Sequence, residues 1–237
     1  MAVRLAVLAS GGGTNLQAII DYLDTLGARR SADLVLVASD RPDAGALDRV
    51  RDRGIPARSF DARRDDALER MLREHDVDLI ALAGYVRFVP ASVTTGWNGR
   101  IVNVHPALLP AFGGRGMYGR RVHEAAIAAG VRVSGATVHF VDAVYDHGPI
   151  IAQWPVPVFP VDDARTLAER VLRVEHLLYP RVIDGLAAGR IRLVDGQRVS
   201  GTVTWMGGAE DSMFVLSASG LDSLEISSAF TGRPVER

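Results

Sequence analysis

The apolar residues of this chain fall into two patterns, short nearly continuous runs and helically spaced stripes. The runs are Val3 to Ala9, Leu34 to Ala38, Asp78 to Ala83 and Ile101 to His105. Near-continuous apolar runs of this length mark strands buried on both faces of a parallel sheet. Between them, Leu16, Ile19, Ile20 and Leu23 repeat at helical spacing. So do Leu47 and Val50 in a short helix closing at Gly54, and Leu68, Met71 and Leu72 within a helix over residues 63–75. Ala57 to Phe60 reads as a short edge strand. Residues 122–130 have helical composition. Gly135 to Val141 alternates as a strand, and Ile150 to Val158 is a second strand that pairs with it across an intervening acidic turn. A long helix is expected to start near Thr166, with Thr166 and Glu169 as a capping box. It runs toward Gly189 with a disturbance at Pro180. Alternating strands and helices of this size predict an α/β chain with right-handed βαβ connections.

Beyond Gly189 the pattern weakens. Ile191 to Val194 and Arg198 to Trp205 are candidate short strands around Asp195-Gly196-Gln197. From Gly207 onward Ser, Gly and Asp dominate without periodicity. The reading is one catalytic unit over residues 1–190, in halves of about 1–100 and 101–190, followed by an extension, 191–237, without an assigned role.

Composition narrows the classes. The 237 residues suffice for a substantial core, and a formal net charge of −1 argues against a general nucleic-acid binder. There is no cysteine, which excludes disulfides and thiolate metal sites and fits a reducing cytoplasm. The N-terminus runs directly into a strand without a basic, apolar leader, and no uncharged apolar window approaches about 18 residues. The expected partners are small molecules, not nucleic acid or membrane, with a homodimer left open. The expected location is cytoplasmic.

Chemistry concentrates at the strand ends. Ser10-Gly11-Gly12-Gly13-Thr14-Asn15 joins the first strand to the first helix, where glycines admit close backbone approach and a helix N-terminus favours an anion. The run fits neither the ATPase P-loop nor the dinucleotide fingerprint, so a phosphate on a small substrate suits it better. Asn103 and His105 stand two residues apart on a strand and share one face. An amide can donate to a developing oxyanion, and an imidazole can carry a proton near neutral pH. Asp146, in the acidic turn, is the candidate partner for His105, and a carboxylate there is expected to raise the imidazole pKa. The window Phe112 to Gly119 holds four glycines and predicts a mobile or tightly turned loop. The glycine loop, the Gly84 to Val89 loop and the Asn103/His105 pair all lie at strand C-termini, where ligands bind in such sheets.

The ordered set Ser10 to Gln17, Leu82 to Arg87, Asn103 to Pro110, Gly135 to Val141 and Asp146 to Pro149 resembles the phosphoribosylglycinamide formyltransferases of the 10-formyltetrahydrofolate-dependent family over roughly residues 1–195. The resemblance implies a Rossmann-like, mostly parallel twisted sheet flanked by helices. It implies formyl transfer from 10-formyltetrahydrofolate to the amine of 5'-phosphoribosylglycinamide, without metal. It implies Asn103, His105 and Asp146 as catalysts; Gly13, Thr14 and Asn15 at the substrate phosphate; and Glu175, otherwise a surface helix residue, near the amine. Folate would lie against Arg63, Val86, Arg87, Phe88, Val89, Asn103, Ala143, Val144 and Tyr145. His123 matches a histidine of the mobile loop region. The chain departs from the family pattern in the long glycine-rich loop 112–121 and in the extension. The rival readings are a 10-formyltetrahydrofolate hydrolase, a formyltransferase acting on another amine, and a folate-binding relic.

Overall fold

The structure is a computed structural model that describes residues 2–201 and a two-residue strand at Leu216–Ser217. In chain order its elements are β1 (Val3–Leu8), α1 (Thr14–Leu26), β2 (Ala32–Ser39), α2 (Gly45–Asp48), β3 (Ala57–Ser59), α3 (Asp65–Glu74), β4 (Leu79–Leu82) and α4 (Ala91–Gly96). They continue with β5 (Ile101–His105), α5 (Arg120–Ala128), β6 (Val133–Phe140), β7 (Ile150–Pro157), α6 (Ala164–Ala187), β8 (Arg192–Val194), β9 (Arg198–Ser200) and β10 (Leu216–Ser217).

Eight strands form one sheet in the order β10-β7-β6-β5-β4-β1-β2-β3. Strands β3, β2, β1, β4 and β5 are parallel, whereas β6, β7 and β10 each run antiparallel to the neighbour before them. Alternation along β1 explains the apolar run that follows Arg4. Leu5 and Val7 face one core with α1 and α6, while Ala6 and Leu8 face a second core with α3 and α4. The chain moves outward from β1 to β3 and then returns to place β4 on the other side of β1. The β1/β4 boundary is therefore the topological switch point, and ligands bind beyond the strand ends there. From α6, the buried Tyr179 hydroxyl bridges the carbonyls of Leu82 (3.1 Å) and Val102 (2.9 Å), tying the helix across β4 and β5.

Three local expectations change. The short helix after β2 stops at Asp48, and a 3-10 turn over Arg51–Arg53 carries the chain to Gly54 at φ 68°. Helix α6 starts two residues earlier than expected, because Asp163 caps it. Its carboxylate accepts the Thr166 amide, and the Thr166 hydroxyl reaches the Asp163 amide. Glu169 instead pairs with Arg165 at 2.8 Å. Pro180 sits inside α6 without ending it. The expected strands in the extension appear as the β8/β9 hairpin, Arg192 against Ser200, while residues 202–205 of the second lie outside the described residues. Among the described residues no helix is long and apolar enough to cross a membrane.

Candidate active site

The loop after β1 ends in Gly13, which caps α1 at φ 73°. A Cβ at Gly13 would lie 2.8 Å from the Ala46 backbone, so both conformation and space demand glycine. With no side-chain cap, the first-turn amides of α1 are left for water or a ligand. One residue into the helix, the Asn15 amide donates to Glu175 Oε2 at 2.6 Å. Glu175 is therefore buried against the glycine loop, not displayed on the surface of α6. Burial pushes its carboxyl up to about 7, and the hydrogen bond from Asn15 opposes that rise only in part.

That proton makes a prediction. The carboxyl titrates near 7 in the folded protein against 4.5 when free, so the native state holds a proton that the unfolded chain releases between those values. Its stabilising effect is complete below about pH 4.5 and is lost as pH rises through about 7. Glu175→Gln keeps an acceptor for Asn15 and removes the charge. It should raise the unfolding free energy by about 2–3 kcal/mol at pH 8 and have little effect at pH 4. Urea melts at the two pH values measure this; an equal effect at both would exclude the titration.

The second group gathers at the end of β5. Antiparallel pairing sets Asn103 opposite His139 of β6. His139 Nδ1 lies 2.7 Å from the Phe140 carbonyl, which can only accept, so Nδ1 carries the proton and Nε2 is left as an acceptor. Asn103 Nδ2 donates to that Nε2 at 3.1 Å, which fixes the amide and keeps its second hydrogen uncommitted by this contact. His105 Nε2 lies 2.9 Å from the Phe112 carbonyl and is a donor by the same logic, so its bare Nδ1 faces Asp146 Oδ2 at 3.6 Å. Asp146 Oδ1 is 3.7 Å from His139 Nε2, and Oδ2 accepts the Gly114 amide at 2.8 Å. Asp146 holds a left-handed φ of 52°, a conformation Asp tolerates better than most residues.

The candidate carboxylate–imidazole pairing carries the expectation that Asp146 raises the His105 pKa. Burial decides otherwise: with 3% of the residue exposed, desolvation lowers the pKa, and Asp146 and the Phe112 carbonyl offset this only partly. His139 is lowered chiefly by burial as well. His123 falls to about 4 through burial and the nearby His105, and its buried Nδ1 has no hydrogen-bond partner. The resting site therefore contains neutral imidazoles around one carboxylate.

Asn15, Glu175, Asn103, His105, His123 and Asp146 line a single cavity of about 780 Å³, with His139 behind Asn103. It is bounded by Asn15 and Glu175, by Gly84 to Arg87, by Asn103 and His105, by Tyr145 and Asp146, and by the loop Gly114 to Gly119. No Ser, Thr or Cys side chain lines it among the described residues. Other residues assigned by resemblance lie apart. Gly13 closes against Ala46, and Thr14 borders a separate groove between α1 and α6. Arg63 is exposed and paired with Asp61 at 2.8 Å. Phe88, Val89, Ala143 and Val144 do not reach the lining, although Phe88 packs edge-on against Tyr145 with ring centroids 5.1 Å apart. That contact joins the loop after β4 to the acidic turn. His139 received no role from sequence: it is one of three polar residues, with Ser134 and Thr137, on β6, and nothing local sets it apart from them. Arg121 and the α6 residues Arg165, Glu169 and Leu172 also line the cavity; the sequence marked Glu169 only as a capping residue and the others not at all. Among the described residues no group of three or more His, Asp or Glu side chains is arranged to hold a metal.

Fold and site together define an α/β protein with an amide, imidazole and carboxylate cluster at the strand ends, suited to oxyanion and proton-transfer chemistry. The chain belongs to the formyl transferase family, whose model matches residues 3–183. It is 40% identical over 195 residues to the chloroplastic phosphoribosylglycinamide formyltransferase of Vigna unguiculata, covering 79% of this chain and 62% of that protein's length. The phosphoribosylglycinamide formyltransferase of Bacillus subtilis (strain 168) is 38% identical over 190 residues, covering 77% of this chain and 94% of the relative. Among solved structures, glycinamide ribonucleotide transformylase 1 from Symbiobacterium toebii superposes with a TM-score of 0.77 at 42% identity, covering 84% of this chain and 93% of that one.

Proposed function

We propose that this protein transfers the formyl group of 10-formyltetrahydrofolate to the amine of 5'-phosphoribosylglycinamide, a step of purine biosynthesis. What carries the reading is the meeting of Asn103, His105 and Asp146 with the Asn15–Glu175 pair around one cavity, in a member of the formyl transferase family. The uncapped N-terminus of α1 receives the phosphate through Gly13, Thr14 and Asn15. Gly84 to Arg87 and Tyr145, at the cavity wall, face the folate ring, and the Phe88–Tyr145 contact joins their two loops behind it.

The reaction is direct acyl transfer. The neutral amine forms a bond to the formyl carbon, and the carbonyl π pair moves onto oxygen, where the free Asn103 amide hydrogen donates to it. The attacking nitrogen then loses its proton to neutral His105, and Asp146 steadies the imidazolium. On collapse the C=O re-forms, the bond to the folate nitrogen breaks, and that nitrogen takes the proton from His105. With no Ser, Thr or Cys at the cavity wall, no covalent enzyme intermediate is invoked.

An absorbance assay with both substrates tests this. Tetrahydrofolate should accumulate only when phosphoribosylglycinamide is present. Formate release in its absence would replace the reading with hydrolysis, and a folded sample inert toward both would reject it.

A further inference from the structure

Both ligand loops, the glycine loop after β1 and the Gly84 to Val89 loop after β4, meet a residue that does not line the cavity. Asp40, just past the end of β2, has a carboxylate only 1% exposed. Its Oδ1 accepts the Ser10 hydroxyl at 2.5 Å, and its Oδ2 accepts Arg87 Nε at 3.1 Å. Because the Ser10 hydrogen is committed to Asp40, the Ser10 oxygen is free to accept, and it takes the Val86 amide at 3.1 Å. The Ser10 amide in turn donates to the Gly84 carbonyl at 3.1 Å. Ser10 opens the glycine loop, and Val86 and Arg87 line the cavity.

A buried carboxylate with an acceptor for each loop is a costly group to retain for stability alone, since an apolar pair would fill the same space. We infer that Asp40 is a positioning residue that locks the glycine loop and the Gly84 to Val89 loop in one mutual register, so that binding at either loop meets the other already in place. Arg87, which lines the cavity, is oriented by the same contact, its Nε held by Asp40. The inference rests on the formyl-transfer reading for its kinetic consequence, though not for the strut itself.

Hydrogen exchange on the ligand-free protein reads the strut without any turnover. In Asp40→Ala the amides of residues 84–89 and 10–14 should exchange about 10-fold faster or more, while those of β5 stay unchanged. Kinetics then read its use, once the parent enzyme has been shown to turn over. Asp40→Ala should raise KM for both substrates by about 10-fold and change kcat by less than about 3-fold, the scale of losing hydrogen bonds to a charged group. Asp40→Asn, which retains one acceptor, should fall between, and Ser10→Ala combined with Asp40→Ala should add little to Asp40→Ala alone. A rise in KM for one substrate only, fully additive effects, or unchanged exchange over 84–89 would each overturn the inference. An inert parent enzyme would instead refute the proposed activity and leave the exchange result to decide the strut.

Discussion

Replacing Asp146 with asparagine is expected to lower kcat by about 100-fold or more while leaving the protein folded. One carboxylate serves two imidazoles here, 3.6 Å from His105 Nδ1 and 3.7 Å from His139 Nε2, and it also accepts the Gly114 amide. An asparagine can still accept from Gly114, so the loop keeps its anchor. It cannot offset the charge of an imidazolium. Because burial already lowers the His105 pKa and Asp146 opposes that, losing the carboxylate lowers the pKa further. A neutral His105 is the base in the proposed reaction, so activity rises as pH climbs through its pKa, and the acidic limb of the kcat/KM profile should move to lower pH in the variant. A pH–rate profile under saturating folate checks both effects. Turnover within about 3-fold of the parent would remove Asp146 from the mechanism.

Much of the sheet was legible because burial on both faces leaves no alternation to misread: Val3 to Ala9 and Asp78 to Ala83 could be little else. What escaped was decided by tertiary context. The short helix Ala91–Gly96 has too few residues for a periodic stripe, yet it sets the buried Trp97 to donate to the Val77 carbonyl. Two overlapping capping patterns, Asp163 with Thr166 and Thr166 with Glu169, compete at the start of α6. The stronger acceptor at the first position wins. At the site, Asn103 and His105 were readable together because i and i+2 share a strand face. His139 was not readable as their partner, because it meets them only through the antiparallel register of β6. Glu175 looked like one more charged helix residue, since nothing local reveals that the glycine loop covers it. The His105 pKa went the same way. Sequence exposes a charge partner, but only the fold reveals the desolvation that outweighs it.

Asn103→Ala should be the most damaging single truncation, cutting kcat by roughly 100- to 1000-fold, the range seen when one oxyanion donor is lost. The way the amide is held makes it an effective donor. His139 accepts one Asn103 hydrogen because its own Nδ1 proton is taken by the Phe140 carbonyl, so the amide cannot rotate without abandoning that bond. The second hydrogen is thereby pre-aimed, and pre-aimed donors need no reorganisation as charge develops. Truncation also strands His139 Nε2, 2% exposed with its residue, and should cost about 1–3 kcal/mol of stability through an unpaired buried acceptor. His139→Phe separates the two losses. It frees the Asn103 amide without deleting it, so kcat should fall by only about 10-fold, the cost of disorder in the donor and not of its absence. Saturating both substrates and following kcat beside the urea midpoint distinguishes the cases. If Asn103→Ala and His139→Phe lose equal activity, the amide acts only by positioning its neighbours; if Asn103→Ala retains near-parent kcat, the oxyanion role fails.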